Sequence, residues 1–251
     1  MRTLCSLIIT LLLYVGVDAQ NHEYRLNFFQ LSRTNGLSDN NVTAIVKDHD
    51  GYIWFGTTNG LNRYNGYDFK VYRSQRSDTT SLPGNQVADM AIDRDGTIWV
   101  GVFSQGIARY NPVADNFARY TLLTSYEDHK PNEIRSIAID SMNNIWVATP
   151  GGLFQYIHDD DKFEKIQVSS QSINKNTASI EVDKLSTLSE DIPTLAPDNR
   201  GGIWIVYPDL RFSYLNTATN TTLHFNAPQM GIDIPEEVII SKVLHINSSL
   251  Y

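Results

Sequence analysis

Short apolar runs separated by turn residues recur along most of the chain and predict β-strands. In the clearest stretch, residues 42–46, 52–56, 61–64 and 69–72 are rich in apolar, aromatic and β-branched side chains. The segments between them contain Asp, Asn and Gly, which favour tight turns. The pattern therefore predicts four short antiparallel strands joined by hairpin turns.

Tryptophan marks the same position in four such units. The sequence GYIWFG around Trp54 returns as GTIWVG around Trp99 and, in weaker form, around Trp146 and Trp204. These are the four tryptophans of the chain, and they are 45, 47 and 58 residues apart. Repeats of this length built from four strands are typical of propeller blades. We therefore expect an all-β fold, an incomplete β-propeller of about four four-stranded antiparallel blades and the start of a fifth.

Three further positions keep a nearly fixed offset from tryptophan. A β-branched residue lies twelve positions before each tryptophan, an aspartate six before, and a tyrosine ten or eleven after. These residues are Val42, Val87, Ile134 and Ile192; Asp48, Asp93, Asp140 and Asp198; and Tyr64, Tyr110, Tyr156 and Tyr214. We expect the wide indole rings to fill the space between neighbouring sheets, which leaves them unsuited to stacking on a sugar.

The repeats also give the expected boundaries. The partial propeller is predicted over residues 20–251, with blades at about 37–73, 82–120, 131–166 and 188–225 and a fifth beginning at 236–251. The stretch around 169–180 is rich in Ser, Asn and Gln. Such a composition predicts a surface loop between the third and fourth blades.

The first residues predict export. Arg2 precedes an apolar run that ends in small residues, so residues 1–19 are expected to be a signal peptide. An uncleaved membrane anchor is the alternative, although the run is shorter than the ~20 residues that a spanning helix needs. The single cysteine, Cys5, lies in this segment, so the exported part depends on a packed core and has no disulfide. The net charge of −8 without a Lys/Arg cluster argues against nucleic acid and anionic membrane surfaces as partners.

Residues 37–66 closely resemble a known repeat. Their motifs LSDNNV, DGYIWFGT and GLNRYNG are similar to the two-component regulator propeller repeat. The resemblance implies the exported, periplasmic sensor region of a hybrid two-component system. In such systems propellers of many repeats precede a β-sandwich domain, one membrane helix and a cytoplasmic histidine kinase, and the intact protein acts as a homodimer. Gut bacteria that degrade glycans use these sensors to detect oligosaccharides.

The downstream parts of such a system are not in this sequence. We therefore expect the chain to be a piece of a longer protein, with kinase activity and membrane attachment residing in the missing C-terminal part. The chain itself is expected to be a non-enzymatic ligand-sensing module. The alternatives are an exported propeller lyase or hydrolase, since streptogramin-inactivating lyases carry a loosely similar Gly-x-Ile-Trp repeat, or a scaffold that binds protein or glycan without signalling.

No metal, cofactor or catalytic set is predicted. Residues 48–51 and 93–96 look like the opening of a calcium loop, but Tyr52 and Asn59 occupy the fifth and twelfth positions of the first copy. A hairpin turn is therefore the preferred interpretation, and the acidic run 158–161 is interpreted as a solvated turn. The histidines lack metal-ligand spacing, and no nucleophile elbow or phosphate-binding glycine loop occurs.

Ligand contacts are expected from the loops of one face. In a propeller, the turns between second and third strands and the connections between blades open on the same side. Neutral amides and hydroxyls in these loops suit sugar hydroxyl groups, because they donate and accept without a desolvated charge. The predicted contacts to an oligosaccharide or another small ligand are Asn40, Asn41, Thr58, Asn59, Asn85, Gln86, Ser104, Gln105, Asn132 and Glu133.

We predict that these residues alone do not form a monodisperse monomer. Four blades and part of a fifth leave open sheet faces and strand edges, which favour association. Light scattering after size exclusion, combined with scanning calorimetry, tests this. A monodisperse monomer that melts cooperatively would contradict the expectation.

Overall fold

The fold is seen in a computed structural model of the chain. It describes residues 28–122, 132–174, 179–187, 194–198, 200–207, 211–219 and 221–226. The chain divides into two units, 1–30 and 31–251, and the account below concerns the second. The predicted signal peptide and the predicted start of a fifth blade at 236–251 lie outside the described residues. Within the described part, no helix is long and apolar enough to cross a membrane.

Strands dominate the described residues, after one turn of 3₁₀ helix at Arg33–Asn35. The first sheet contains β1 (Val42–Lys47), β2 (Ile53–Thr57), β3 (Gly60–Tyr64) and β4 (Phe69–Tyr72). The second contains β5 (Val87–Ile92), β6 (Ile98–Val102), β7 (Gly106–Asn111) and β8 (Asn116–Tyr120). The third contains β9 (Ser136–Ile139), β10 (Ile145–Thr149), β11 (Gly152–Ile157) and β12 (Lys162–Lys165). The fourth contains β13 (Gln167–Asn174), β14 (Ser179–Thr187), β15 (Thr194–Pro197), β16 (Gly202–Val206), β17 (Arg211–Asn216) and β18 (Thr221–Asn226).

Each sheet is built on a four-stranded antiparallel meander. The first three sheets follow chain order from their first to their fourth strand, and β15 to β18 do the same in the fourth. The first strands of consecutive sheets are neighbours, since β1 contacts β5, β5 contacts β9, and β9 contacts β15. This is the arrangement of propeller blades around an axis, and the described sheets do not close into a ring. The predicted all-β fold of incomplete four-stranded antiparallel blades is confirmed.

The fourth sheet differs from the expectation at its outer edge. The predicted surface loop at 169–180 is wrong, because β13 and β14 form an antiparallel hairpin over most of that stretch. β13 also pairs in parallel with β18, so the hairpin extends the blade to six strands. The polar composition was misleading because pairing at a sheet edge satisfies backbone groups and does not require apolar side chains.

The strand register of the fourth sheet also gives Tyr214 a different position from that of the repeated tyrosines in the other three sheets. Trp54 is paired across the ladder with Arg63, whereas Trp204 is paired with Tyr214 itself. Tyr214 therefore lies on the same sheet face as its tryptophan, and Leu215 takes the position that corresponds to Tyr64. The expectation that Tyr214 repeats the earlier tyrosines is wrong, because the turn between β16 and β17 is longer than the turn between β2 and β3.

A hydrogen bond between aspartate and tryptophan recurs in three sheets. Trp54 is fully buried, and its Nε1 donates to Asp48 Oδ2 at 2.7 Å. The other oxygen, Asp48 Oδ1, accepts the backbone N–H of Tyr52 at 2.8 Å and so closes the hairpin turn. The same two bonds recur with Trp99, Asp93 and Thr97, and with Trp146, Asp140 and Asn144. One carboxylate thus fixes both the turn and the indole, which explains their constant spacing of six residues.

The buried indoles pack between neighbouring sheets. The ring centroid of Trp54 lies 5.6 Å from that of Tyr72 in its own sheet and 4.8 Å from that of Tyr110 in the second sheet. Trp99 lies 4.7 Å from Tyr156 of the third sheet in the same way. The expected packing role is therefore observed, and burial prevents these rings from stacking on a ligand.

A polar clamp joins the first sheet to the second. Arg63 Nη1 donates to the hydroxyl of Tyr110 at 2.9 Å. The hydroxyls of Tyr72 and Tyr110 both donate to Asp115 Oδ1, at 2.6 and 2.7 Å, and Lys70 forms an ion pair with the same carboxylate. Burial raises the pKa of Asp115, but hydrogen bonds from Lys70, Tyr72 and Tyr110 outweigh it and hold the pKa at about 2.

A second clamp of the same design joins the second sheet to the third. Arg109 Nη1 donates to the hydroxyl of Tyr156 at 2.6 Å, and Tyr120 donates to Asp161 Oδ1 at 2.7 Å. Tyr156 and Arg109 also bond to Asp161. Residues 158–161 form an exposed turn, as expected, and Asp161 of this turn also accepts hydrogen bonds from Arg109 and Tyr120 of the preceding sheet.

An apolar cluster lies among the described residues at the joint between the third and fourth sheets. Gln155 stands where the clamps have arginine, and Leu215 stands where they have tyrosine. Leu153, Ile203 and Leu215 are fully buried in one cluster at this joint. The hydroxyl of Tyr214 donates to Asp198 Oδ2 of its own sheet at 2.9 Å.

We predict that Asp48→Ala lowers the free energy of unfolding by about 2–3 kcal/mol. The change leaves the buried Nε1 of Trp54 without its acceptor and removes the bond that closes the turn. Asp50→Ala, an exposed position in the same turn, is the matched control and is expected to stay within about 0.5 kcal/mol. Urea titration measures both, and equal effects would contradict the role of Asp48.

We predict that the stabilising effect of Asp115 is lost in acid. Its folded pKa of about 2 lies below the ~3.9 of an unfolded aspartate. The contribution is therefore complete above the unfolded pKa and disappears as the pH falls through the folded pKa. The difference in unfolding free energy between the wild type and Asp115→Asn should shrink between about pH 5 and about pH 2. A difference independent of pH would contradict this.

Candidate ligand-binding faces

The loops that carry the predicted ligand contacts meet on one face. We call it the loop face; it comprises the connections that precede β1, β5 and β9 and the turns β2–β3 and β6–β7. The backbone N–H of Thr58 donates to the carbonyl of Asn41 at 3.3 Å. The N–H of Gly60 then donates to the carbonyl of Asn85 in the next sheet at 2.7 Å. The predicted segments of neighbouring sheets are thus brought together.

Three of the predicted contacts serve the fold itself. Asn40, Asn85 and Asn132 each accept a backbone N–H through Oδ1, at 2.9, 2.7 and 2.8 Å. Asn132 is also buried, with 7% of its surface exposed. Their amides shape the connections between sheets, and this leaves less capacity for a ligand.

The other predicted contacts lie at or near the surface. Thr58 is partly exposed, and Glu133 is partly exposed and pairs with Arg135 at 3.7 Å. The exposed members are Asn41, Asn59, Gln86, Ser104 and Gln105. The loop face therefore presents mainly neutral hydrogen-bonding groups on turns that are fixed by the backbone.

The turn between β6 and β7 shows how the sequence fixes such a loop. Ser104 has a left-handed backbone with φ of 57°, and Gly106 has φ of 88°. A Cβ atom at Gly106 would lie 2.3 Å from the carbonyl oxygen of Tyr120, so glycine is required there. Ser104 and Gln105 are held at the tip of this turn and exposed to solvent.

A cavity lies at the other ends of the strands. The turn face comprises the turns β1–β2, β5–β6, β9–β10 and β15–β16, and it opens onto a cavity of about 590 Å³. The lining residues are His49, Ile92, Asp93, Arg94, Ile139, Asp140, Ser141, Pro197 and Asp198. The motifs of the sequence do not single out this cavity. The available signal was the repeated pair of an apolar residue and aspartate at the ends of β5, β9 and β15.

The charged groups of this cavity are held by hydrogen bonds. Asp140 Oδ1 accepts two backbone N–H groups, and its Oδ2 accepts from Asn144 and Trp146. Burial raises the pKa of Asp140, but these hydrogen bonds lower it more, so the carboxyl is ionised at neutral pH. The guanidinium of Arg94 donates to the carbonyl oxygen of Ser141, and its backbone N–H donates to Asn143 Oδ1 at 2.8 Å.

Asp48 and Asp93 lie in hairpin turns, which agrees with the preferred interpretation of these motifs. Both accept backbone N–H groups of their own turn and the indole N–H of the following strand. Among the residues that the structure describes, no three His, Cys, Asp or Glu side chains are placed to hold a metal ion.

The repeats match a known family in three places. Residues 36–59, 81–104 and 128–151 match the two-component regulator propeller family. Three of the four tryptophan repeats are thus similar to that family's repeat. The resemblance inferred from the motifs around Trp54 is thereby confirmed, and each matched segment begins at the same distance before its tryptophan.

Solved extracellular domains share the fold. The chain is 26% identical to the extracellular domain of BT3049 of B. thetaiotaomicron, described as a hybrid two-component system, with a TM-score of 0.62 over 80% of this chain and 26% of that one. The extracellular domain of BT4673 of the same organism aligns at 21% identity and a TM-score of 0.61, over 82% of this chain and 28% of that one.

A curated relative matches a shorter segment. Histidine kinase P4 of Formosa agariphila is 36% identical over 69 residues, which is 28% of this chain and 5% of that protein. The chain thus spans about a quarter of the solved domains and a small part of the curated relative.

Proposed function

We propose that this chain is part of the periplasmic ligand-sensing propeller of a hybrid two-component protein, which detects an oligosaccharide and regulates a C-terminal histidine kinase. The observation that carries the proposal is the family match in three repeats, together with a 26% identical extracellular domain from such a system. The relative named as a histidine kinase supports the same direction. In this proposal the propeller binds and has no catalytic activity, and the kinase lies in a part of the protein beyond this chain.

The loop face supports an oligosaccharide as the ligand. Its exposed tips carry amides and hydroxyls, which can both donate to and accept from sugar hydroxyl groups. Asn59 and Gln105 directly precede the glycine of equivalent turns in the first two sheets, so a ligand that extends across sheets can meet a side-chain amide twice. A chain of similar sugar units has this property.

The joints between sheets support transmission of the signal. The two clamps and the buried indoles connect the first three sheets through hydrogen bonds and ring contacts. A ligand that bridges loops of neighbouring sheets therefore acts on sheets that are already joined to each other. Binding can favour one arrangement of the two subunits of a homodimer over another, and the kinase activity follows that population.

We predict that the chain binds oligosaccharides released from bacterial or plant polysaccharides, and that Asn59→Ala combined with Gln105→Ala weakens binding about tenfold or more. These side chains lie on the loop face, and their loss removes hydrogen bonds that a ligand would make. Isothermal titration calorimetry measures the affinity. Asp159→Ala, an exposed residue of the turn β11–β12, is the matched control and is expected to bind like the wild type.

Three results would count against the proposal. Binding to no oligosaccharide would favour a scaffold, and conversion of the sugar during titration would favour a lyase or hydrolase. A gene that encodes no membrane helix and no kinase downstream of this region would remove the signalling part.

A further inference from the structure

We propose that the turn-face cavity is a second saccharide-binding site, separate from the loop face. This site binds an uncharged sugar unit at the end of a sugar chain. The inference rests on the proposed function for the class of ligand and on the cavity for the place. At about 590 Å³ the cavity has the size of ordinary small-ligand sites. Four sheets contribute to it, so its shape depends on the assembled arc.

The walls combine apolar and polar groups in a repeated way. The residue before the repeated aspartate is Ile92 in the second sheet, Ile139 in the third and Pro197 in the fourth. These side chains form an apolar surface on which the C–H faces of a sugar ring can pack. Lys47 occupies the equivalent position of the first sheet and is exposed outside the lining. The cavity is thus mostly polar, with a small apolar patch at these three residues and a polar border around it.

Hydrogen-bonding groups on this border are fixed and have capacity left. Arg94 has five N–H donors, and its bond to the carbonyl of Ser141 uses one of them. Asp93 Oδ2 accepts from the indole of Trp99 at 2.9 Å, and a carboxylate oxygen can accept a second donor. A sugar with adjacent hydroxyls can therefore accept from Arg94 and donate to Asp93.

The absence of a side chain at Gly96 leaves room for the imidazole of His49 at the border of the cavity. Gly96 has φ of +83°, and a Cβ atom there would lie 3.1 Å from His49 Nδ1. The imidazole of the first sheet therefore rests against the turn of the second sheet and adds a further hydrogen-bonding group to the lining. Its position depends on contact between two sheets.

The charge of the lining selects against anionic ligands. Three carboxylates, Asp93, Asp140 and Asp198, face one guanidinium, that of Arg94. The pKa of Asp140 is below its usual value, so proton uptake does not relieve this excess at neutral pH. An acidic sugar or a free anion would be repelled, whereas a neutral sugar has no such cost.

The test uses the full chain and two sets of probes in calorimetry. The first set contains short oligosaccharides from neutral glucan, xylan, mannan and arabinan, and the second contains uronic-acid oligosaccharides. We expect a neutral probe to bind. Arg94→Met should weaken its affinity for one class of binding site, the cavity, about tenfold or more. Ser141→Phe fills the cavity and should abolish the same class. Arg200→Met is the matched control, because Arg200 is an exposed turn residue outside the lining.

The outcomes separate this inference from the proposed function. Thermal unfolding of each variant first shows that it is folded. Wild-type binding that both cavity variants retain, but that Asn59→Ala with Gln105→Ala removes, overturns the cavity site and leaves the proposed function standing. Binding of the uronic-acid probes alone overturns the neutral class. Absence of binding by every probe overturns both proposals.

Discussion

The hydrogen bond from a buried indole to an aspartate six residues earlier is the constraint on which the structure depends. The carboxylate closes the turn between the first and second strands and fixes the tryptophan in the same step. The fixed indole then presents its ring to the tyrosine of the next sheet. A local bond thereby sets the packing between sheets, and the packing brings together the loops on one face and the cavity on the other.

The clamps add specificity to this packing. Arg63 and Arg109 each reach a tyrosine of the following sheet, and an aspartate of that sheet accepts from tyrosines on both sides. Such a network rewards one alignment of neighbouring sheets, since a shifted sheet would leave buried hydroxyls without partners. At the joint to the fourth sheet the described side chains form an apolar cluster, and apolar contact is non-directional.

Local patterns predicted the fold well because the repeat carries its own turn chemistry. The motif around Trp54 and its repeats predict strands, turns and packing within a few residues, and the four-stranded meanders follow from these predictions. The predictions failed or were incomplete where a result depends on register or on a neighbouring sheet. The role of Asp161 arises only when Arg109 and Tyr120 of the previous sheet reach it, and Tyr214 changes face through a longer turn. The cavity escaped prediction for the same reason, because four sheets build it and no single motif does. On the loop face, sequence predicted which segments meet but not that Asn132 would be used by the backbone.

The most direct measurement is hydrogen exchange at the indole N–H groups, followed by NMR. We predict that Trp54, Trp99 and Trp146 exchange only at the rate of global unfolding, because each indole is buried and bonded to its aspartate. Trp204, which is partly exposed, is the internal reference and should exchange faster. Exchange of the three buried indoles as fast as that of Trp204 would show that the aspartate–tryptophan bond does not hold the sheets together.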